Sequence, residues 1–411
     1  MAKWLTGALT VTVIGLLAGC GSSGSSGGQV AKGKPVVIGA SLSLSGDFSA
    51  DGQAFERGYK LWAHDVNRAG GLLGHKVQLA IVSDASSPAQ VVTNYQKLIS
   101  SSHANLVFGP FSTLLTVPSS KVVARYGYAF VEGAGGAPGV FAQGLHNVFD
   151  VSLPIKNNLV TFAKWIASLP PSKRPKTAAY ATSNDPFTEP QLPPARSIMQ
   201  AAGVKTVYSK VFPAEVTDYA PIATTVASTH ADMVVLGSVD VPTVSAFVHG
   251  FIQQHYVPKA FVATAGPDQG AAFLHAIGGA SNADGMMVPN GWYPGSPNSE
   301  SQKMVHEYVA LYGGSTSDVN ADVAEAYSVG QVVAQAVAAT HSLDNSKIMS
   351  YLHSGVTLQT VQGPVRFDSL GENTAAKAFV FQWLHGTLVQ VMPVGAAGSK
   401  SVEYPKPSWG K

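Results

Sequence analysis

Chemistry-bearing patterns in this chain are sparse, and most dissolve on inspection. Gly28-x4-Gly33-Lys34 imitates a phosphate-binding loop. Pro35 stands where a Ser or Thr would hold magnesium, and the segment precedes a strand-like run instead of following one. Gly24-Ser25-Ser26-Gly27-Gly28 fits a nucleophile-elbow pattern only because that stretch is all Gly and Ser. The 12 histidines show no His-x3-His spacing of the kind that builds a metal site. No nucleophile is paired with a base by any local signal, although catalytic triads assemble from distant residues. What remains is Ser43 to Asp51, a small, polar stretch directly after the apolar run Val36-Val37-Ile38-Gly39-Ala40. A loop at the carboxyl end of a buried strand is where open α/β sheets hold their ligands.

The surrounding pattern supplies the scaffold for such a loop. The run from Val36 is β-branched and suits a strand buried on both faces of a parallel sheet. Phe55, Tyr59, Trp62 and Val66 recur at helical spacing, with Glu56, Arg57, Lys60 and Asp65 between them. Gly70-Gly71 closes that helix, and Val77, Leu79 and Ile81 alternate as the next strand. Strand–helix alternation continues through both halves, which argues a doubly wound parallel sheet in each of two lobes. At 411 residues the chain is too long for one compact core, so two lobes are expected on size as well.

Bulk composition excludes several classes. Hydrophobic residues make up 45% and charged residues 12%, which rules out a disordered chain and fits large buried sheets. The net charge is +2, and the one dense basic group, Lys173-Arg174-Lys176, lies between prolines as a solvated loop would. Nucleic-acid binding would want a basic face, so no nucleic-acid partner is expected. The single cysteine, Cys20, allows no intrachain disulfide. Lys3 followed by the apolar core Leu5–Leu17 has the length of a signal peptide and is short for a membrane span. Leu17-Ala18-Gly19-Cys20 looks like a bacterial lipobox, which implies cleavage before Cys20 and lipid attachment to its sulfur; an ordinary secretory signal is the alternative. Gly21 to Gly28 is a flexible Gly/Ser tether.

Several short motifs follow one another in order: Ile38-Gly39-Ala40, Leu44-Ser45-Gly46, Asp51-Gly52, Gly58, Asn67-Arg68-Ala69-Gly70-Gly71-Leu72-Leu73-Gly74, then Asp84 and Pro88. Together they resemble the opening of the branched-chain amino-acid-binding proteins of ABC transporters, and weaker similarity runs on to about Pro393. The resemblance implies a type I periplasmic-binding fold, with two doubly wound parallel-sheet lobes joined by a three-stranded hinge. Expected boundaries are 1–19 for the signal peptide and 20–34 for the tether. Lobe 1 would span 35–153 plus 287–368, lobe 2 154–286 plus 369–394, and 395–411 would be a loose tail.

In that family, loops after the third and fourth strands hold a ligand carboxylate. The matching stretches here are Gly109-Pro110-Phe111-Ser112-Thr113 and Gly133-Ala134-Gly135-Gly136-Ala137-Pro138. Thr113 falls on the family's carboxylate-binding serine and Ala134 on the residue that uses its carbonyl. Gly136 stands where a threonine hydroxyl is usual, and Asp51 where an aromatic often covers the ligand. Phe187 matches an aromatic of the second lobe, Val239-Asp240 replaces another, and Tyr327 matches a tyrosine near the cleft. Asp268 is the candidate partner for a ligand amine. Each has a plainer alternative: Thr113 as a helix cap, Asp51 and Asp268 as acids at helix starts, Phe187 and Tyr327 as packing residues, and Gly136 as a tight turn.

The resemblance therefore implies a lipid-anchored, extracytoplasmic, monomeric solute-binding protein that is not an enzyme and needs no cofactor or metal. It would close on an amino acid, amide or related organic acid and dock on an ABC permease. A ligand sensor of the same fold and a secreted hydrolase are the rival readings.

Overall fold

The computed structural model describes Met1 and residues 30–410, except 215 and 217. Cys20, the signal-like segment and the Gly/Ser tether lie outside the described residues. The chain begins β1 (Val36–Leu42), α1 (Ser49–Arg68), β2 (Val77–Ser83), α2 (Pro88–Ser100), β3 (Leu106–Phe108), α3 (Thr113–Arg125), β4 (Phe130–Glu132), α4 (Pro138–Phe141) and β5 (Val148–Asp150). These strands form one parallel sheet in the order β2-β1-β3-β4-β5. The interior strand β1 is almost wholly buried, as its continuous apolar run requires, whereas the edge strand β2 is half exposed.

The chain then crosses to a second lobe. There α5 (Val160–Ser168), β6 (Thr177–Ser183), α6 (Leu192–Ala201), β7 (Lys205–Phe212), α7 (Ala220–Ser228), β8 (Met233–Gly237), α8 (Val241–Gln253), β9 (Ala260–Ala263), α9 (Gly270–Ala276), α10 (Ala280–Ala283) and β10 (Met286–Asn290) follow. It returns to the first lobe for α11 (Ser299–Tyr312), α12 (Ala321–Thr340), α13 (Asn345–Leu352) and the hairpin β11 (Leu358–Thr360) and β12 (Gly363–Val365). A last crossing leads to β13 (Phe379–Leu384) and β14 (Thr387–Met392). The second sheet runs β14-β13-β10-β9-β8-β6-β7, with β13 and β14 antiparallel. Among the described residues no helix is long and apolar enough to cross a membrane.

Two regions differ from expectation. The stretch at Met286–Val288 does not return the chain to the first lobe. As part of β10 it pairs with β9 and β13, and the crossing follows Asn290. The segment after Gly395 is not loose either. Glu403 pairs with Gln382, Lys406 donates its N–H to Lys259, and the Trp409 indole donates to Tyr256, so the segment straps the second lobe. Burial of Tyr404 and Trp409 against apolar residues fastens it.

The contact that matters most for the site is between α1 and α12. A Cβ on Gly330 would lie 2.2 Å from the Trp62 ring, and one on Gly58 would lie 2.5 Å from the Val323 carbonyl. Only glycine lets the two helices approach this closely. Their first turns consequently sit side by side at the open end of the first sheet, and both first turns carry acids, Asp51 and Asp322.

Candidate functional site

The loops at the carboxyl ends of the strands face one another across a cleft of about 620 Å³, counting the space open to solvent. β3 leads to Phe111 and Ser112, and β4 to Gly133 and Ala134. From the second lobe come Phe187 after β6, Val239 after β8, and Thr264, Ala265 and Asp268 after β9. Phe187 and Val239 also pack against the apolar core of the first lobe, so the two lobes are in contact.

Ser112 shows why this end of the sheet is special. It has φ 73° and ψ 149°, a conformation disfavoured for any residue with a side chain. The kink starts α3 and leaves the Ser112 and Thr113 hydroxyls buried without a hydrogen-bond partner. Ser112 lines the cleft, whereas Thr113 lies just behind it, fully buried.

The second loop is arranged differently from the family expectation. Glu132 Oε2 accepts from the N–H of Ala134 at 2.9 Å and from the N–H of Gly135. The chain's own carboxylate therefore takes up two N–H groups of this loop. Ala134 lines the cleft. Gly136 does not; a Cβ there would fall 1.9 Å from Asp150 Oδ2. A carboxylate fills the space where a threonine side chain was expected to stand. Asp150 Oδ1 in turn accepts from the N–H and Oγ of Ser152, at 2.9 and 2.7 Å.

Asp51 and Asp268 both line the cleft. Asp268 accepts from the Gly266 N–H at 3.0 Å and from Asn290 Nδ2 at 3.0 Å. Asp240 is elsewhere: it caps α8 by accepting from the Thr243 N–H at 2.7 Å. Tyr327 is also outside the cleft, its hydroxyl donating to Asp65 at 2.9 Å. Phe187 lines the cleft and is held by its N–H, which donates to Asp185.

Four acids were not anticipated as part of the site: Asp322 and Glu325 on the cleft wall, and Glu132 and Asp150 behind it. Asp322 and Glu325 are one turn apart at the start of an otherwise apolar helix, a spacing that places both on one face. Gln269 was missed as well. Its Nε2 donates to Asp51 Oδ1 and Asp322 Oδ2, both at 2.7 Å, while its Oε1 accepts from Asn320 at 2.9 Å.

Burial pushes the Asp51 carboxyl well above its ordinary range, and the charges of Asp322, Asp268 and Asp240 add to the effect. Burial and then Asp268 raise Asp322 to about 8, against the opposing hydrogen bond from Gln269. Glu325 and Glu132 are raised in the same way, each first by burial. Asp150 rises to about 7, again mainly by burial.

The histidines stay away from this chemistry. Five of them, His103, His230, His255, His341 and His385, adopt left-handed backbone. At the surface, His64, Asp65 and Glu307 come together, but Arg68 already pairs with Glu307 and Tyr327 with Asp65.

A family model described as periplasmic binding protein matches residues 35–387. The chain belongs to the periplasmic binding protein family. This places it in an extracytoplasmic group. Among curated relatives, it is 22% identical over 358 residues to a Leu/Ile/Val-binding protein homolog of Brucella melitensis, covering 86% of this chain and 93% of the relative. It is 24% identical to an amino acid binding protein of Pseudomonas aeruginosa, covering 85% and 90%. Its fold is similar to the branched-chain amino acid transporter substrate-binding protein of Streptococcus pneumoniae solved with isoleucine, with a TM-score of 0.77, 18% identity and coverage of 91% and 100%. An ABC-transporter solute-binding protein of R. palustris solved with benzoate gives a TM-score of 0.75 at 17% identity, covering 91% and 98%. The type I fold of two lobes is thereby shown.

Proposed function

We propose that the chain is the solute-binding component of an ABC importer, capturing a small polar ligand between its lobes and presenting it to a membrane permease. The observation that carries this is the cleft itself, lined by residues of both lobes, where polar groups of the first lobe keep hydrogen-bonding capacity unused. The Ser112 hydroxyl and Asp51 Oδ2 are buried and without a partner. Buried polar atoms of this kind cost stability unless something satisfies them. A ligand held between closed lobes would do so.

Binding without catalysis is our reading because the unpartnered cleft hydroxyl, that of Ser112, meets no base among the described residues. The candidate binding residues are Asp51, Ser112, Ala134, Phe187 and Asp268, whereas Thr113, Gly136, Asp240 and Tyr327 do not line the cleft. Lipid anchoring at Cys20 in a monomeric protein is part of the same proposal. It predicts that Cys20→Ser moves the chain from the membrane fraction to the soluble fraction.

The test of function is a thermal-shift screen against amino acids, amides, amines, small carboxylates and sugars. A ligand at about a hundred times its dissociation constant adds about 2.7 kcal/mol of stability. A shift that Ser112→Ala abolishes supports the cleft. A chain that no class shifts counts against this small polar ligand and favours the ligand-sensor and secreted-hydrolase readings.

A further inference from the structure

The charge of the cleft bears on what it holds. Asp51, Asp268, Asp322 and Glu325 line it, with Glu132 and Asp150 directly behind. No lysine, arginine or histidine lines it. Among the described residues, none of these six acids belongs to an ion pair. Removing a carboxylate from water is costly unless a partner of opposite charge or several donors replace the lost hydration. Gln269 supplies one nitrogen to two of the acids, which leaves Asp51 Oδ2 buried and unpartnered. In the same lobe, the Ser112 hydroxyl is 3% exposed and equally unpartnered, free to accept or donate a hydrogen bond.

The other end of the cleft points the same way. The N–H groups of Ala134 and Gly135 are occupied by Glu132. The place of a side chain at residue 136 is filled by Asp150. A ligand carboxylate brought to this loop would find the Ala134 and Gly135 N–H groups already taken.

We propose that the cleft takes an organic cation with at least two ammonium or guanidinium groups and no carboxylate, the chemistry of an aliphatic diamine or polyamine. This rests on the solute-binding reading and names its ligand class. One cationic nitrogen bridges Asp51 and Asp322, next to the Gln269 amide, and a second meets Asp268 and Glu325. An N–H of the cation donates to Ser112 Oγ. A benzoate-like anion finds no cationic partner among the described lining residues, and a leucine-like zwitterion offers one ammonium to four carboxyls.

Titration gives the proposal its signature. In the empty cleft, burial and mutual repulsion keep Asp51, Asp322 and Glu325 protonated to unusually high pH. A bound cation favours their ionised forms, so binding releases protons near neutral pH and strengthens as pH rises.

The experiment is calorimetry and thermal shift on the full chain at about pH 6 and about pH 8, spanning the raised carboxyl range. The probes are putrescine, spermidine, arginine, leucine and benzoate. Putrescine or spermidine is expected to bind at least about tenfold more tightly at the higher pH, with a heat that changes with the ionisation enthalpy of the buffer. The double variant Asp322→Asn, Glu325→Gln is expected to melt no lower than the parent when empty and to lose at least about tenfold in affinity for the cation. Exposed Glu300→Gln is expected to change neither. Binding of leucine or benzoate with both amines silent overturns the cation and leaves solute binding intact. Binding of arginine with both amines silent overturns the carboxylate-free class. Undiminished amine binding by the double variant places the cation outside the cleft and overturns the proposal. A chain that responds to none of the probes overturns it too; a response to some other class in the broader screen then preserves the solute-binding reading, and silence there removes both.

Discussion

The side-chain amide of Gln269, in the second lobe, donates to the carboxyl of Asp51, in the first, at 2.7 Å. The same nitrogen reaches Asp322, so one residue ties the first turns of α1 and α12 to the opposite lobe. Gln269→Ala removes that tie and leaves two buried acceptors unmet, a loss of about 1–3 kcal/mol in the closed form. The expected result is a larger radius of gyration for the empty chain in solution scattering. Ligand affinity falls by about tenfold for each 1.4 kcal/mol of closure lost. An unchanged radius would show that Gln269 does not hold the lobes together.

The pH dependence follows from acids that keep their protons longer in the folded chain than in the unfolded one. Asp322 is raised to about 8 and Asp150 to about 7, both mainly by burial. Below about pH 4 both states are protonated and these groups are neutral to stability. Between there and the raised values the folded state binds more protons, so stability falls as pH rises. The melting temperature of the empty chain is expected to decline from about pH 5 to about pH 8, and Asp322→Asn to flatten the decline. A rising profile over that window would contradict the placement of these carboxyls.

Ser112→Gly separates stability from binding. Glycine accepts a positive φ without the strain that a serine stores there, about 1–3 kcal/mol. Greater flexibility of the unfolded chain offsets about 0.4–1 kcal/mol of the gain. Chemical denaturation is expected to show an equal or higher midpoint, while ligand affinity drops because the hydroxyl is gone. A lower midpoint would mean that the Ser112 side chain is structural.

Gly136→Ala tests the filled carboxylate space. The new methyl would strike Asp150 Oδ2, displacing a buried carboxyl held by Ser152. A loss of about 1–3 kcal/mol is expected. Adding Asp150→Ala makes room, so the two changes together should cost less than their sum in a double-mutant cycle. Strict additivity would show that the two positions are not in contact.

The sequence made the scaffold readable because its signals are local. The buried run at Val36 and the 3.6-residue spacing of Phe55, Tyr59 and Trp62 each report their own element, and the structure has them there. β10 was misplaced because the short apolar stretch at Met286 says nothing about which sheet it joins; pairing with β13, nearly a hundred positions later, decides that. The strap after Gly395 was missed because its anchors are Tyr404 and Trp409 on distant surfaces, without periodicity. Ser112 and Asp268 were found at loop positions after strands, and Asp51 at the end of such a stretch, where the structure has the first turn of α1. Glu132 and Glu325 were not, since their meaning lies in what surrounds them: two N–H groups for one, and a cleft without a base for the other.

The strap has a practical consequence. Val30 packs on the first lobe, whereas Trp409 is fastened to the second. Val30 and Trp409 thus ride on different halves of the molecule. A donor and an acceptor dye attached near them would report the hinge directly, their energy transfer changing with each opening, and would turn the chain into a reagentless sensor for whatever it captures.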